Sequence, residues 1–496
     1  MSLKKNVIAN FAGSAWSALM GLAFVPLYIQ RMGVESYGIV GVFSSLMAVL
    51  AVLDLGLSQA MSREMARLSV GVQNDRRRAD VARTLEIIYW TIAVAIGFLI
   101  VLLAQPIASY WLNPEKLTRE SLQYAIQIVG LVIALRWPVS LYMGGLNGLQ
   151  RQVQVNVLLG VIATMQGVGA LAVLWFVAPT IQAFFVWQAV VALIQVIAFR
   201  SALWKLLPTD RSANFDNKVL ADTWRFAAGM SGISLLATVL TQLDKVILSR
   251  LLTLSDFGYY TFSATVAGVL FRLIGPVFTA YSPRLTELVE RGDQKALVKA
   301  YHEGSQLLVV ATIPAAVIVA LFSREILTIW TGNPDLVLHA SLLVSLLTIG
   351  NAINGLMHIP YALQLAHGWT KLAFYQNLIS VIIIGPAVYI ATREWGGHGA
   401  AAAWITLNFG YLFIGIHVMH RRLLEGEKKK WYFGDILIPS VATLAIGAGV
   451  RFTLPNDAEA AFAVVVLFST FCFATFCALV CGSALRNNLK YRMERR

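Results

Sequence analysis

The chain has 496 residues, 58% of them hydrophobic and only 13% charged, with a formal net charge of +13. Soluble globular domains carry roughly 25% charged residues, so this composition excludes a soluble enzyme or binding module and indicates an all-α polytopic membrane protein. The basic residues are scattered in short gaps between apolar runs, not gathered into one domain with aromatic platforms, which argues against a nucleic-acid interface.

Apolar runs of about 20 residues recur from end to end, and at roughly 35 residues per span plus connection the length accommodates about fourteen transmembrane helices. The first run follows Lys4 and Lys5. It is too long for a signal peptide and lacks a small-residue cleavage site, so it reads as a retained span. The second, from about Gly38 to Ser62, holds Asp54 with Ser58 and Ser62 on its face. A charge in hydrocarbon is costly. Asp54 therefore either pairs with Arg63 or Arg67 at the span end, or turns into a shared cavity and binds a coupling cation. Glu86, Arg324 and Arg451 lie near span ends and read as interfacial anchors.

Span four aligns Arg136, Ser140, Gly144 and Asn147 beside Pro138. Span seven carries Ser231, Ser234, Thr238, Thr241, Lys245 and Ser249 at helical spacing on one face, with Asp244 adjacent. Span eight carries Thr261, Thr265, Gly268, Arg272, Gly275 and Thr279 in the same way, and in span ten Asn351, Asn354, His358 and Tyr361 share a face. Cys472, Cys477 and Cys481 fall in the last run and read as small apolar side chains. No His or carboxylate joins them, so neither a metal site nor a cofactor is expected.

Stripes of small and hydroxyl residues are common helix-packing seams; the charges set these apart. Arg136 and Arg272 lie near mid-span, where insertion costs about 2.5–3.5 kcal/mol each, and both read as lining a cavity. Lys245, nearer an outer end, either snorkels or joins them. Asp244 pairs with a neighbouring cation or takes part in ion coupling, and His358 is a hydrogen-bonded helix contact or a proton carrier. Thr238, Thr241, Thr265, Asn351 and Asn354 supply the polar lining.

Alternate connections collect the positive charge, about 29 of the 39 Lys and Arg against about 7 on the opposite side. That places both termini in the cytoplasm and requires an even number of spans. The outward connections are too short for a catalytic domain. An internal repeat shows as Ser36-Tyr37-Gly38 against Asp256-Phe257-Gly258, Ser62 against Ser282 and Gly148 against Gly368, at an offset of about 220 residues or six spans. The expected organisation is a first lobe of six helices (1–205), a connecting segment (206–223), a second six-helix lobe (224–425), and two added helices with a basic tail (426–496). The lobes should be related by a pseudo-two-fold along the membrane normal.

The stretches LDLGLSQAMSREMAR, YIQRMGVESYGIVGVF and TQLDKVILSRLLTLSDFGYYTFS, with the GLNGLQRQ and LAHGWTK turns and the HGAAAAW start of span twelve, resemble the polysaccharide transporter family. These are the Wzx-type flippases of the multidrug/oligosaccharidyl-lipid/polysaccharide exporter (MOP) superfamily, and the resemblance covers essentially the whole chain. It implies two lobes forming a V-shaped chamber in the bacterial inner membrane. It also implies an undecaprenyl-diphosphate-linked oligosaccharide as substrate, moved from the cytoplasmic to the periplasmic leaflet by alternating access coupled to H+, Na+ or the membrane potential. Membrane lipids and polysaccharide polymerase or assembly proteins are the implied partners, and Arg136, Lys245 and Arg272 are the matching lumen cations. The rivals are a drug or metabolite exporter of the same superfamily and a membrane glycosyltransferase or polymerase. The latter would need an acid/base-bearing loop or domain that the chain lacks room for.

Overall fold

The computed structural model describes residues 3–68, 75–207, 213–216, 236, 238–455 and 459–482. Every regular element among them is helical, as a chain crossing hydrocarbon must satisfy its own backbone N–H and C=O groups. Twelve helical segments there are long and apolar enough to cross a membrane. The first six are α1 (Ala12–Met32), α2 (Val34–Asp54), α3 (Arg77–Trp111), α4 (Arg119–Gly148), α5 (Gln152–Phe176) and α6 (Ile181–Trp204). After the shorter described helix α7 (238–251) come α8 (Leu254–Glu290), α9 (Gln294–Leu321) and α10 (Pro334–Ala366).

Next is Thr370–Leu423, whose 54 residues would run about 80 Å as one helix, against a hydrocarbon core of roughly 30 Å. It does not run straight. The backbone leaves helical geometry at Trp395 and at Gly396, whose φ of 57° is open to glycine at no steric cost. Beyond the turn Gly399 packs on the Ala391 backbone and Gly415 on the Gln376 side chain, and the Tyr411 hydroxyl donates to Asn377 Oδ1 at 3.3 Å. The segment is a hairpin of two passes, α11 (370–394) and α12 (397–423). With α13 (Lys430–Thr453) and α14 (Ala460–Cys481) the total comes to about fourteen. Ser231 and Ser234, most of the 206–223 connection and the basic residues from Arg486 onward lie outside the described residues.

Side-chain caps fix the helix starts. Thr118, Thr180, Asp293 and Asn333 each accept a first-turn N–H at the beginning of α4, α6, α9 and α10. The Glu35 carboxylate accepts from the N–H groups of Glu115, Lys116 and Leu117 in the turn before α4.

The chain divides into two compact units, Met1–Gly258 and Tyr259–Arg496. In the first, α1 packs on α5, and α4 packs on α3 and α6; in the second, α9 packs on α8, α10, α13 and α14. The 220-residue offset reappears as a contact inside the first unit. Val34 and Gly38 open α2, and their repeat counterparts Leu254 and Gly258 open α8. A methyl group on Gly38 would stand 2.5 Å from the Leu254 carbonyl oxygen, and Gly258 is closed in by the Val34 carbonyl in the same way. Each glycine sits on the counterpart of the residue that its own counterpart touches, so the two contacts are reciprocal.

Several long helices are broken part-way. α2 stops being regular at Leu50 and tightens through Ala51–Asp54. It then turns at Leu55 and Gly56, with φ of 48° and 81°, and gives way to the amphipathic helix Leu57–Leu68. α4 breaks at Trp137–Pro138, where proline removes a backbone donor. α8 breaks at Gly268–Val269, and α10 at Met357, one residue before His358. The α4 and α10 breaks stand 220 residues apart in sequence.

Candidate functional site

The ionisable residues singled out in spans two, four, eight and ten all lie at these breaks. Asp54 ends the tight turn of α2, Arg136 is the last helical residue before the break in α4, Arg272 follows the break in α8, and His358 opens the helix after the break in α10. Non-helical backbone at membrane depth is tolerated where protein or a water-filled cavity meets it, and transporters build their sites from such discontinuous helices.

Arg136 donates through Nη2 to Gln188 Oε1 on α6 at 2.6 Å and lies over the Phe43 ring, 5.4 Å from its centroid. Its buried Nε has no hydrogen-bond partner among the described residues. Phe43 also lines a cavity of about 510 Å³, mostly apolar, bounded by α2, α3, α4, α7 and the start of α8, to which Lys245 contributes the one charged side chain among the described residues. Lys245 Nζ donates to Gln242 Oε1 at 3.3 Å; Asp244 beside it is half-buried. Phe43 thus joins two of the three candidate cations within the first unit.

Arg272 belongs to the second unit, halfway along α8. It is exposed, as are Gly275 and Thr279 on its stripe, while Ile274 and Val277 are buried on the packed face. Its guanidinium makes no hydrogen bond or ion pair with the described residues. The hydroxyls of Thr241 and Thr265 donate to the carbonyls of Thr238 and Thr261, at 3.1 and 2.8 Å.

Asn351 and Asn354 are engaged with α12. Trp404 Nε1 donates to Asn351 Oδ1 at 3.0 Å, and Asn354 Nδ2 donates to Asn408 Oδ1 at 2.8 Å. That is the interhelical hydrogen bonding that joins membrane helices. His358 Nδ1 faces the carbonyls of Asn354 and Gly355 at 3.3 and 3.2 Å, so the proton sits on Nδ1 and closes acceptors left open by the break. Among the described residues Asp54 meets neither Arg63 nor Arg67. It accepts from the Ser58 hydroxyl at 2.8 Å and from the Tyr89 hydroxyl of α3, while Arg67 pairs with Glu64 at 2.5 Å.

Two clusters were not legible in the sequence. Glu86, read as an interfacial anchor, is 3% exposed and accepts from Arg200 at 2.7 Å, Tyr142 at 2.7 Å, Trp204 at 3.2 Å and Arg83 at 3.0 Å. In the second unit His302 stands between Glu427 and Asp435, with Gln306 donating to Asp435 at 2.7 Å. Arg200 and Trp204 lie 114 and 118 residues from Glu86, and Glu427 and Asp435 lie 125 and 133 residues from His302, so only the i,i+3 pair Arg83–Glu86 carried a spacing signal. Arg451, also read as an anchor, is paired with Glu325 at 2.5 Å.

Residues 3–289 match the polysaccharide biosynthesis protein family, and residues 230–390 match the MatE family. No curated protein sequence matches the chain. Among solved structures it is similar to the lipid II flippase MurJ in an inward closed conformation, with TM-score 0.69 and 13% identity over 99% of each chain. It is also similar to an inward-facing multidrug resistance MATE family transporter of the MOP superfamily, with TM-score 0.68 and 13% identity over 82% of this chain and 96% of that one. A third similar structure is a MOP superfamily transporter from Pyrococcus furiosus, with TM-score 0.57 and 13% identity over 84% and 94%. The family match spans more than half the sequence, and the fold agrees with it: this chain belongs to the polysaccharide biosynthesis protein family and has the fold of the MOP superfamily transporters.

Proposed function

We propose that the protein is a flippase that carries an undecaprenyl-diphosphate-linked oligosaccharide across the bacterial inner membrane, from the cytoplasmic to the periplasmic leaflet, by alternating access. The observation that carries this reading is Arg272. An exposed arginine halfway along a membrane helix, without a partner among the described residues, would cost about 2.5–3.5 kcal/mol or more against lipid. Facing water or an anion removes that cost. Arg136 and Lys245, at a helix break and at a cavity edge, add two more cations. A diphosphate headgroup needs such charges, with arginine giving bidentate contacts. Glycan hydroxyls need hydrogen-bonding partners, because an unpaired polar group in hydrocarbon costs several kcal/mol.

The family match supports a polysaccharide-precursor substrate over a drug. The MatE match keeps export of a smaller amphiphile as the second reading. The two separate in a reconstituted assay with a fluorescent prenyl-diphosphate-linked disaccharide. On the flippase reading Arg136→Ala/Arg272→Ala loses at least about tenfold in rate, the scale of one or two lost charged contacts, while membrane expression holds. Wild-type rates in the double variant would overturn the role of these cations, and no movement of the probe by the wild-type protein would overturn the substrate.

A further inference from the structure

The cluster around His302 has the construction of a proton-binding site. His302 is 1% exposed, near the start of α9. Its Nε2 lies 2.9 Å from Glu427 Oε2, and its Nδ1 faces Asp435 Oδ2. A carboxylate offers only acceptors, so satisfying both contacts places a proton on each ring nitrogen. A neutral imidazole would instead set a bare lone pair against a carboxylate oxygen in a site closed to water, a costly arrangement. The cluster therefore holds one proton more than a neutral histidine between two carboxylates would.

The charged surroundings agree. Lys430, on α13, lies 3.8 Å from Glu427 and offsets the second carboxylate. On α9 the nearest charges are Lys299 and Glu303, which lie 3.8 Å from each other. From α12, His420 meets Tyr301 at 3.1 Å, not His302, and Lys428, in the connection between α12 and α13, is turned to His417 at 2.5 Å.

The geometry is also graded from exposed to buried. Glu427 is 28% exposed, His302 1% and Asp435 0%. Beyond Asp435, Gln306 donates to its second oxygen one turn further along α9, itself fully buried. Asp435 projects from a π-helical stretch, Lys430–Leu437, a widened turn that occurs frequently at functional sites. By contrast Asp54 is held by Tyr89 and Ser58, and His358 by backbone carbonyls.

We propose that Glu427, His302 and Asp435 form a proton relay, loaded from water at Glu427, and that this relay is the proton-coupling site of the transporter. In the step the Nδ1 proton of the imidazolium passes to Asp435, leaving a neutral imidazole, whose Nε2–H still donates to the Glu427 carboxylate, beside an Asp435 carboxylic acid; the imidazolium is restored by a proton taken up at Glu427. No atom or charge is gained in the transfer. The coupling role rests on the transporter reading above; the proton site does not.

The test has two arms on the full-length protein. In the first, infrared difference spectra of purified, substrate-free protein are recorded across a pH titration. The wild type is expected to show a carboxylic-acid carbonyl band that is lost in Asp435→Asn and shifted in its titration in Glu427→Gln, a variant at the half-exposed end that leaves the buried pair in place. A wild-type titration with no band that these substitutions remove or shift overturns the proposal. In the second arm, proteoliposomes carry the labelled prenyl-diphosphate disaccharide under an imposed pH gradient or an imposed potassium potential. Loss of at least tenfold of the pH-driven component in Glu427→Gln, with potential-driven or exchange transport kept, supports coupling; an unchanged pH-driven component overturns it. If the wild-type protein moves no probe, the flippase reading fails while the spectra still decide the site.

Discussion

Glu86 and Asp54 are both carboxylates in apolar runs, and the structure satisfies them differently. Glu86 gathers two arginines, a tyrosine and a tryptophan from α3, α4 and α6, whereas Asp54 closes the turn of its own broken helix and takes one hydroxyl from α3. Arg83 and Arg200 are 44% and 47% exposed, so solvent discounts their pairing with Glu86. Glu86→Gln, which keeps the shape and removes the charge, is expected to cost about 1–3 kcal/mol, read as a lowered thermal unfolding midpoint in detergent. Tyr142→Phe, which removes one hydroxyl from the same group, should cost less. The sequence made the unusual carboxylates visible because they interrupt apolar runs. It did not reveal their partners, since Tyr89 reaches Asp54 only through the path of α2 after Leu50, and Arg200 reaches Glu86 only through the packing of α6 near α3.

Elements were more legible than contacts. Hydropathy alone outlines the spans, and the spacing of Thr265, Arg272 and Thr279 marks a face that is indeed less buried than that of Ile274 and Val277. The breaks were only half visible. Pro138 announces one, but Leu55-Gly56 and Gly268-Val269 are ordinary dipeptides whose backbone is set by tertiary context. The repeat supplies a test at this scale. Gly38→Val and Gly258→Val each force a side chain onto a carbonyl of the other helix and should each destabilise by about 1–3 kcal/mol, the usual cost of overpacking. Because the contact is reciprocal, the two losses should be similar in thermal denaturation; a large effect at one glycine and none at the other would contradict the equivalence.

For the whole molecule, composition was decisive on class, and charge asymmetry gives an orientation. A fluorescent protein fused after Arg496 is expected to light up in living cells, and alkaline phosphatase fused there to stay inactive, as a cytoplasmic terminus requires. Periplasmic phosphatase activity would reverse the assignment. The hairpin at Trp395 and Gly396 bears on the same question. If 370–423 crossed only once, the chain would emerge on the far face, and Asp435 would begin its helix a bilayer's width from His302. That these two side chains touch means the turn sets the parity of everything after it. Two residues that leave the helix, Trp395 and Gly396, thereby keep the Glu427 carboxylate and the His302 imidazole at one end of their helices instead of at opposite ends.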